Sequence, residues 1–222
     1  MTDRPSNQGG GLSRRRLLAS SAAAGGAVWL LRGLVRPGSA YAASAPPPGF
    51  PAGIYVYQRA YENWAGEIRT DQLWTCAPRS PQEVLDVVNW AYSAGWTVRA
   101  QGRRHGWSPL TVADGTPAAA RVVLLDTTAH LTSMSLEQQA ADGSARVRVQ
   151  AGASLETLLA FAGAGGYGVA SAPAPGDLSV GGALAIGAHG TAIPAVDESP
   201  SSGHGYGSLS NLVTELTVVV WD

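Results

Sequence analysis

Lysine is absent: all 15 basic residues of the 222 are arginine. With the abundance of alanine, this reads as a coding bias, so arginine in place of lysine carries little functional information. Charged residues of every kind make up only 14%, and the formal net charge is −1. Neither disorder nor nucleic-acid binding is expected of so weakly charged a chain. Cys76 is the single cysteine, which excludes an internal disulfide and any zinc site built on cysteine pairs. Long apolar runs are missing as well. The most apolar N-terminal stretch is broken by Gly25, Gly26 and Arg32, too soon for a stable membrane span. What is plentiful is glycine (28) and proline (14), beside 45% hydrophobic residues. That mixture suits a loop-rich α/β or α+β fold, long enough for one sizeable domain or two small ones.

The first 42 residues form a segment of their own. In "SRRRLLASSAAAGGAVWLL" three arginines, Arg14, Arg15 and Arg16, precede a modestly apolar stretch, and "SAYA" ends it with small residues at Ala40 and Ala42. This is the layout of an export signal cut after Ala42, and the paired arginines before two leucines resemble a twin-arginine signal. Residues 1–42 hold six arginines and one aspartate, leaving nine basic and fifteen acidic residues, a net of −6. An acidic mature domain excludes nucleic acid and anionic lipid as expected partners. A twin-arginine route carries folded proteins. It therefore suits both the lack of disulfides and a cofactor loaded before export to the periplasm, cell envelope or exterior.

Residues 43–53, "ASAPPPGFPAG", are expected to be an extended, structureless leader, with ordered structure over 54–222. "SPQEVLDVVNWAYSAG" predicts a helix. Ser80 is its cap, Pro81 its first residue, Glu83 completes a capping box, Val84, Val87, Val88 and Ala91 form the apolar stripe, and Gly95 ends it. "WTVRAQG" and "RVVLLD" read as strands, and "TSMSLEQQ" with "ARVRVQ" as a hairpin about Asp142-Gly143. "ASLETLLAFAGAGG" predicts a second helix capped by Ser154, and "NLVTELTVVVW" a central strand. Strand–helix alternation mixed with hairpins favours α+β. The sequence stops directly after that last strand, which leads us to expect a truncated protein.

Two segments invite chemistry. In "QGRRHGWSPLT" (101–111), Gly102 and Gly106 bracket His105. In "APGDLSVGGALAIGAHG" (174–190), Gly181, Gly182, Gly187 and Gly190 allow either close approach to a phosphate or close helix packing, with Ser179 as a cap. The residues themselves leave these two uses equally open. Neither the nicotinamide fingerprint nor the phosphate-loop motif is present. His105, His130, His189 and His204 follow no zinc spacing, so no metal is expected. Ser108 lacks the surroundings of a hydrolase nucleophile.

Together the two segments resemble the flavin-binding domain of the vanillyl-alcohol-oxidase type, also named for p-cresol methylhydroxylase (PCMH). There a Gly-rich loop, often with a histidine bonded to the flavin 8α-methyl, faces a P-G-x-x-x-V-G-G-x-x-x-x-x-x-H-G segment. Pro175, Gly176, Val180, Gly181, Gly182, Gly187, His189 and Gly190 match the second, and His105 stands in the linking position of the first. "GFPAGIYVYQRAYENWAGEI", "HGWSPLT" and "GYGSLSNLVTELTVVVW" extend the likeness to the covalent-flavin (type II) cholesterol oxidases over most of 49–222. Where many relatives carry a G-G-H-S loop, this chain has Arg103 and Arg104 before the histidine and Gly106 after it.

The resemblance implies an α+β PCMH-type FAD-binding domain of two small α/β subdomains, with the substrate domain absent from this chain. It implies FAD, covalent through His105, held by Gly102, Arg103, Arg104, Gly106, Trp107, Ser108, Asp177 and Ser179 together with the matched residues above. Arg103 or Arg104 would keep the imidazole neutral by like-charge repulsion, or meet the diphosphate. The implied reaction oxidises a 3β-hydroxysteroid to its ketone, reduces oxygen to hydrogen peroxide and moves the Δ5 double bond to Δ4. No residue of 1–222 is assigned as catalytic acid or base, and Glu215 reads as structural. The alternatives are a sugar-lactone or polyol oxidase of the same flavin family, or a truncated FAD-binding module without turnover.

Overall fold

The computed structural model describes residues 45–190 and 207–220. The expected signal segment 1–42, residues 191–206 with His204, and the last two residues lie outside them. The chain divides into two units, Met1–Ser44 and Ala45–Asp222, and the fold below is that of the second.

Strands β1 (Tyr55–Glu62) and β2 (Arg69–Ala77) form an antiparallel hairpin with a bulge between Ala60 and Glu62. Helix α1 (Pro81–Ala94) then crosses to β3 (Thr97–Gln101), and β4 (Val122–Asp126) inserts between β2 and β3, parallel to both. The sheet order is β1-β2-β4-β3. With a neighbour on each side, β2 and β4 alternate between two cores, as the two-residue repeat of a strand requires. Cys76, Val123 and Leu125 meet Ile54 and Val87 of α1 on one face. Leu73 and Leu124 meet Tyr61, Ile68 and Val112 on the other.

A second hairpin, β5 (Met134–Gln139) with β6 (Ala145–Val149), turns through Gly143 at φ 83°, as "ADG" predicts. Helices α2 (Leu155–Ala164) and α3 (Val180–Ala185) and a 3-10 turn (Leu209–Leu212) complete the chain. Ala153, Leu155, Val180, Ala183, Ala188 and Leu209 form its core, with Met134 and Val149 of the hairpin packed on it. The fold is α+β, as expected.

The caps explain where the helices begin. Ser80 Oγ accepts the Glu83 amide at 3.2 Å and Ser154 Oγ accepts the Thr157 amide at 3.1 Å, each worth about 1 kcal/mol. Gly95 closes α1 in the left-handed region at φ 68°.

Three expectations are corrected. Glu83 does not complete a capping box on Ser80; its carboxylate accepts the amide of Arg79, one residue earlier. The Pro-rich leader is not structureless over 45–53. Pro47 is buried, Phe50 turns back on it by a 3.0 Å backbone bond, and Phe50 packs edge-on against Trp90, whose indole donates to the Pro48 carbonyl. A bulky aromatic on α1 supplies the surface that orders the turn. Finally, "NLVTELTVVVW" forms the 3-10 turn and then unpaired backbone over 213–220, with Val220 74% exposed. A strand needs a hydrogen-bonding neighbour, and among the described residues none lies alongside it.

Candidate flavin site

The loop after β3 is shaped by the β1–β2 connection. Asn63, 3% exposed, accepts the amides of Glu67 and Ile68 on Oδ1 at 2.9 and 3.0 Å. Its Nδ2 donates to the Gly106 carbonyl at 3.0 Å. Next to it, the Trp64 amide donates to the Arg104 carbonyl at 2.8 Å. That bond helps hold Arg104 at φ 63°, a left-handed conformation that costs a non-glycine residue about 1–2 kcal/mol. With its carbonyls turned toward Asn63 and Trp64, the loop leaves its amides free. None from 102 to 108 donates a hydrogen bond among the described residues. Successive free amides around a left-handed residue form a concavity suited to an anion.

His105 sits half-buried above this loop. Its Nε2 lies 2.9 Å from Asp177 Oδ2, and its ring stacks on Trp64 at 5.5 Å and 17°. Trp64 and Trp107 lean on one another, centroids 6.4 Å apart, with both indoles largely exposed. Asp177 follows Gly176, whose carbonyl takes the Glu156 amide at the start of α2 at 2.8 Å.

A second contact joins the two segments: Ser179 Oγ fills the space where a side chain on residue 102 would stand. Ser179 has extended backbone before α3, yet its side chain makes no capping bond, contrary to expectation, because that hydroxyl lies over Gly102. Two segments some seventy residues apart thus meet twice.

The other expected site residues divide. Gly176 and Gly181 approach the chain's own residues closely: a Cβ would stand 3.1 Å from Glu156 Cβ and 2.8 Å from Ala151 Cβ respectively. Val180 is core. For these residues the small size serves packing. Gly187 ends α3 at φ 62°, while Gly182 and Pro175 are exposed. His189 and Gly190 belong to a separate cluster: the Gly190 amide donates to Ser171 Oγ, which donates to the Gly207 carbonyl at 2.9 Å. No hydrogen bond, ion pair or ring stacking among the described residues links His189 to residues 102–108.

Ser108 is exposed, and Arg103 and Arg104 make no ion pair among the described residues. The charged group in contact with His105 is the Asp177 carboxylate. Glu215 lies on the surface, 3.8 Å from Arg148. Among the described residues no three His, Cys, Asp or Glu side chains gather to hold a metal, and no helix is long and apolar enough to cross a membrane.

Sequence reasoning missed Asn63 and Trp64, which carry no motif. It also missed Gln101, 3% exposed, whose Oε1 is buried without a partner among the described residues at the root of the loop. An orphaned buried acceptor, a run of free amides and exposed indole faces fit a group with polar edges, a diphosphate and a planar ring, as FAD has.

Comparison with known proteins agrees with this fit. A family model described as FAD binding domain matches residues 74–222. The solved structure of cholesterol oxidase from Brevibacterium sterolicum is 46% identical, with a TM-score of 0.76 over 82% of this chain and 33% of its own. A solvent-stable cholesterol oxidase is 52% identical, with a TM-score of 0.75 over 80% of this chain and 32% of its own. No curated protein sequence matches significantly. The chain spans about a third of the length of these solved oxidases. Matched over most of its length by that family model, the chain belongs to the FAD-binding domain family.

Proposed function

We propose that this chain supplies the FAD site of an alcohol oxidase acting on a 3β-hydroxysteroid such as cholesterol. In this reading the steroid is oxidised to its ketone, oxygen is reduced to hydrogen peroxide, and a Δ5-to-Δ4 shift accompanies oxidation. The flavin is bonded through His105. The observation that carries the reading is the loop itself: His105 is fixed against Asp177 and Trp64, while the amides of 102–108 stay free among the described residues. Bound FAD would accept the hydride removed from the alcohol. The chain's own part is to hold that cofactor, the amides of 102–108 binding the diphosphate. The 45–52% identity to cholesterol oxidases supports the sterol over a sugar lactone or polyol.

Acid precipitation tests the linkage: flavin fluorescence should stay with the protein pellet, and H105A should release it. Colour that washes out of the unsubstituted protein would end the covalent assignment. Hydrogen peroxide release with cholesterol, compared with a sugar lactone, tests the substrate; faster release with the lactone would overturn the sterol reading. We further propose export by a twin-arginine route with cleavage after Ala42. Replacing Arg15 and Arg16 by lysine should retain the protein in the cytoplasm, and a mature N-terminus other than Ala43 would refute the cut.

A further inference from the structure

We propose that Asp177 positions the linking histidine: it holds the His105 ring in the tautomer with hydrogen on Nε2, leaving Nδ1 as the nitrogen that bonds the flavin. This rests on the reading of His105 as the linking residue. An ionised carboxylate only accepts hydrogen bonds, so the ring nitrogen 2.9 Å from Asp177 Oδ2 carries the hydrogen. In a neutral ring the other nitrogen then carries the lone pair, since the bond made by one nitrogen decides the state of its partner. Nδ1 has no hydrogen-bond partner among the described residues.

The ring has little freedom to turn over. Trp64 covers one face at a 17° inclination, and the backbone on either side of the histidine is pinned through the Arg104 and Gly106 carbonyls. A flip that brought Nδ1 to Asp177 would have to break the stack or the carboxylate bond.

The same carboxylate has a second effect. Attack by Nδ1 places positive charge on the imidazole, and Asp177 faces that charge through Nε2, as the aspartate of a catalytic triad does for its histidine. In overall balance the Nδ1–C bond forms, while one C–H bond of the flavin methyl and the Nε2–H bond break. Both hydrogens, with two electrons, reach dioxygen as hydrogen peroxide.

The test uses the full chain, produced without flavin and then mixed with FAD in air. Three variants, Asp177→Ala, Asp177→Glu and His105→Ala, are compared for total bound flavin and for the rate at which acid-stable flavin appears. D177A should bind FAD yet link it about 10- to 100-fold more slowly, the usual cost of removing a carboxylate behind a working histidine. D177E should recover part of the rate, which a purely structural defect at this position would not show. Nitrogen-15 NMR of the His105 ring in the flavin-free protein should show a protonated Nε2 and a bare Nδ1. Linking at the unsubstituted rate in D177A, or a protonated Nδ1 in the ring spectrum, overturns the proposal. Acid-stable flavin in H105A would instead overturn the reading beneath it. The ring measurement on unsubstituted protein decides the tautomer even where D177A fails to fold.

Discussion

Replacing Asn63 by alanine tests whether one buried amide holds the loop after β3 to the first hairpin. The change deletes three hydrogen bonds, two accepted by Oδ1 from Glu67 and Ile68 and one donated by Nδ2 to Gly106. At about 0.5–1.5 kcal/mol each, these amount to about 3 kcal/mol. The buried Ile68 amide, left without an acceptor, adds about 1–3 kcal/mol more if water cannot reach it. A destabilisation of about 3–6 kcal/mol is therefore expected. Urea unfolding followed by tryptophan fluorescence would read it; with a slope of about 2 kcal/mol per molar, the midpoint should fall by roughly 1.5–3 M. Because Trp64 stacks on His105 and sits beside Asn63, the native emission of N63A should change as well. A loss under about 1 kcal/mol with unchanged emission would refute the reasoning, since it would mean that the loop stands without its amide anchor.

Three further outcomes follow from close contacts and burial. Gly102→Ala collides with Ser179 Oγ and should cost about 1–3 kcal/mol, most of it recovered in the double variant with Ser179→Gly; a double variant no more stable than the single one would contradict the contact. Gly152→Ala should be worse, because the new carbon meets the Thr127 carbonyl and stands 2.8 Å from that of Leu131, both backbone, so soluble yield of a G152A protein melting like the parent would be the refuting result. Burial pushes the Cys76 thiol from 9.0 up to about 12. Its contribution to stability is thus complete below pH 9 and falls by about 1.4 kcal/mol per pH unit between 9 and 12, where only the unfolded chain ionises. Cys76→Ala should flatten that fall in pH-dependent urea titrations, and an unchanged slope would count against the burial argument.

Where local chemistry decides structure, the sequence was readable. Ser80, Pro81 and Gly95 mark the ends of α1, and Asp142-Gly143 marks the hairpin turn, because caps and turns need particular side chains at particular places. Residues 213–220 were misread for a complementary reason: alternation and apolar character say that a segment can be a strand, but not that a neighbour exists to pair with it. The leader was misread because proline content describes the free chain and says nothing of a tryptophan waiting on α1. In the site, glycines and a resemblance marked the two segments. That His105 faces Asp177 was not legible, since no local pattern predicts a pairing across 72 residues. Asn63 escaped notice because its side chain works through backbone partners, which leave no signature in residue type, and Trp64 because its ring meets His105 across 41 residues of chain.

The span of that His105–Asp177 pairing sets an order of events during synthesis. Closing a loop of such length costs entropy that only later contacts repay, so the pair cannot form on the ribosome while β3 alone has emerged. It must wait until α2 and α3 have docked on the second hairpin and brought residue 177 back to the sheet. The histidine is made early and completed late. A nascent chain halted between β4 and α3 would hold the loop without its acid, the ring resting on Trp64 alone.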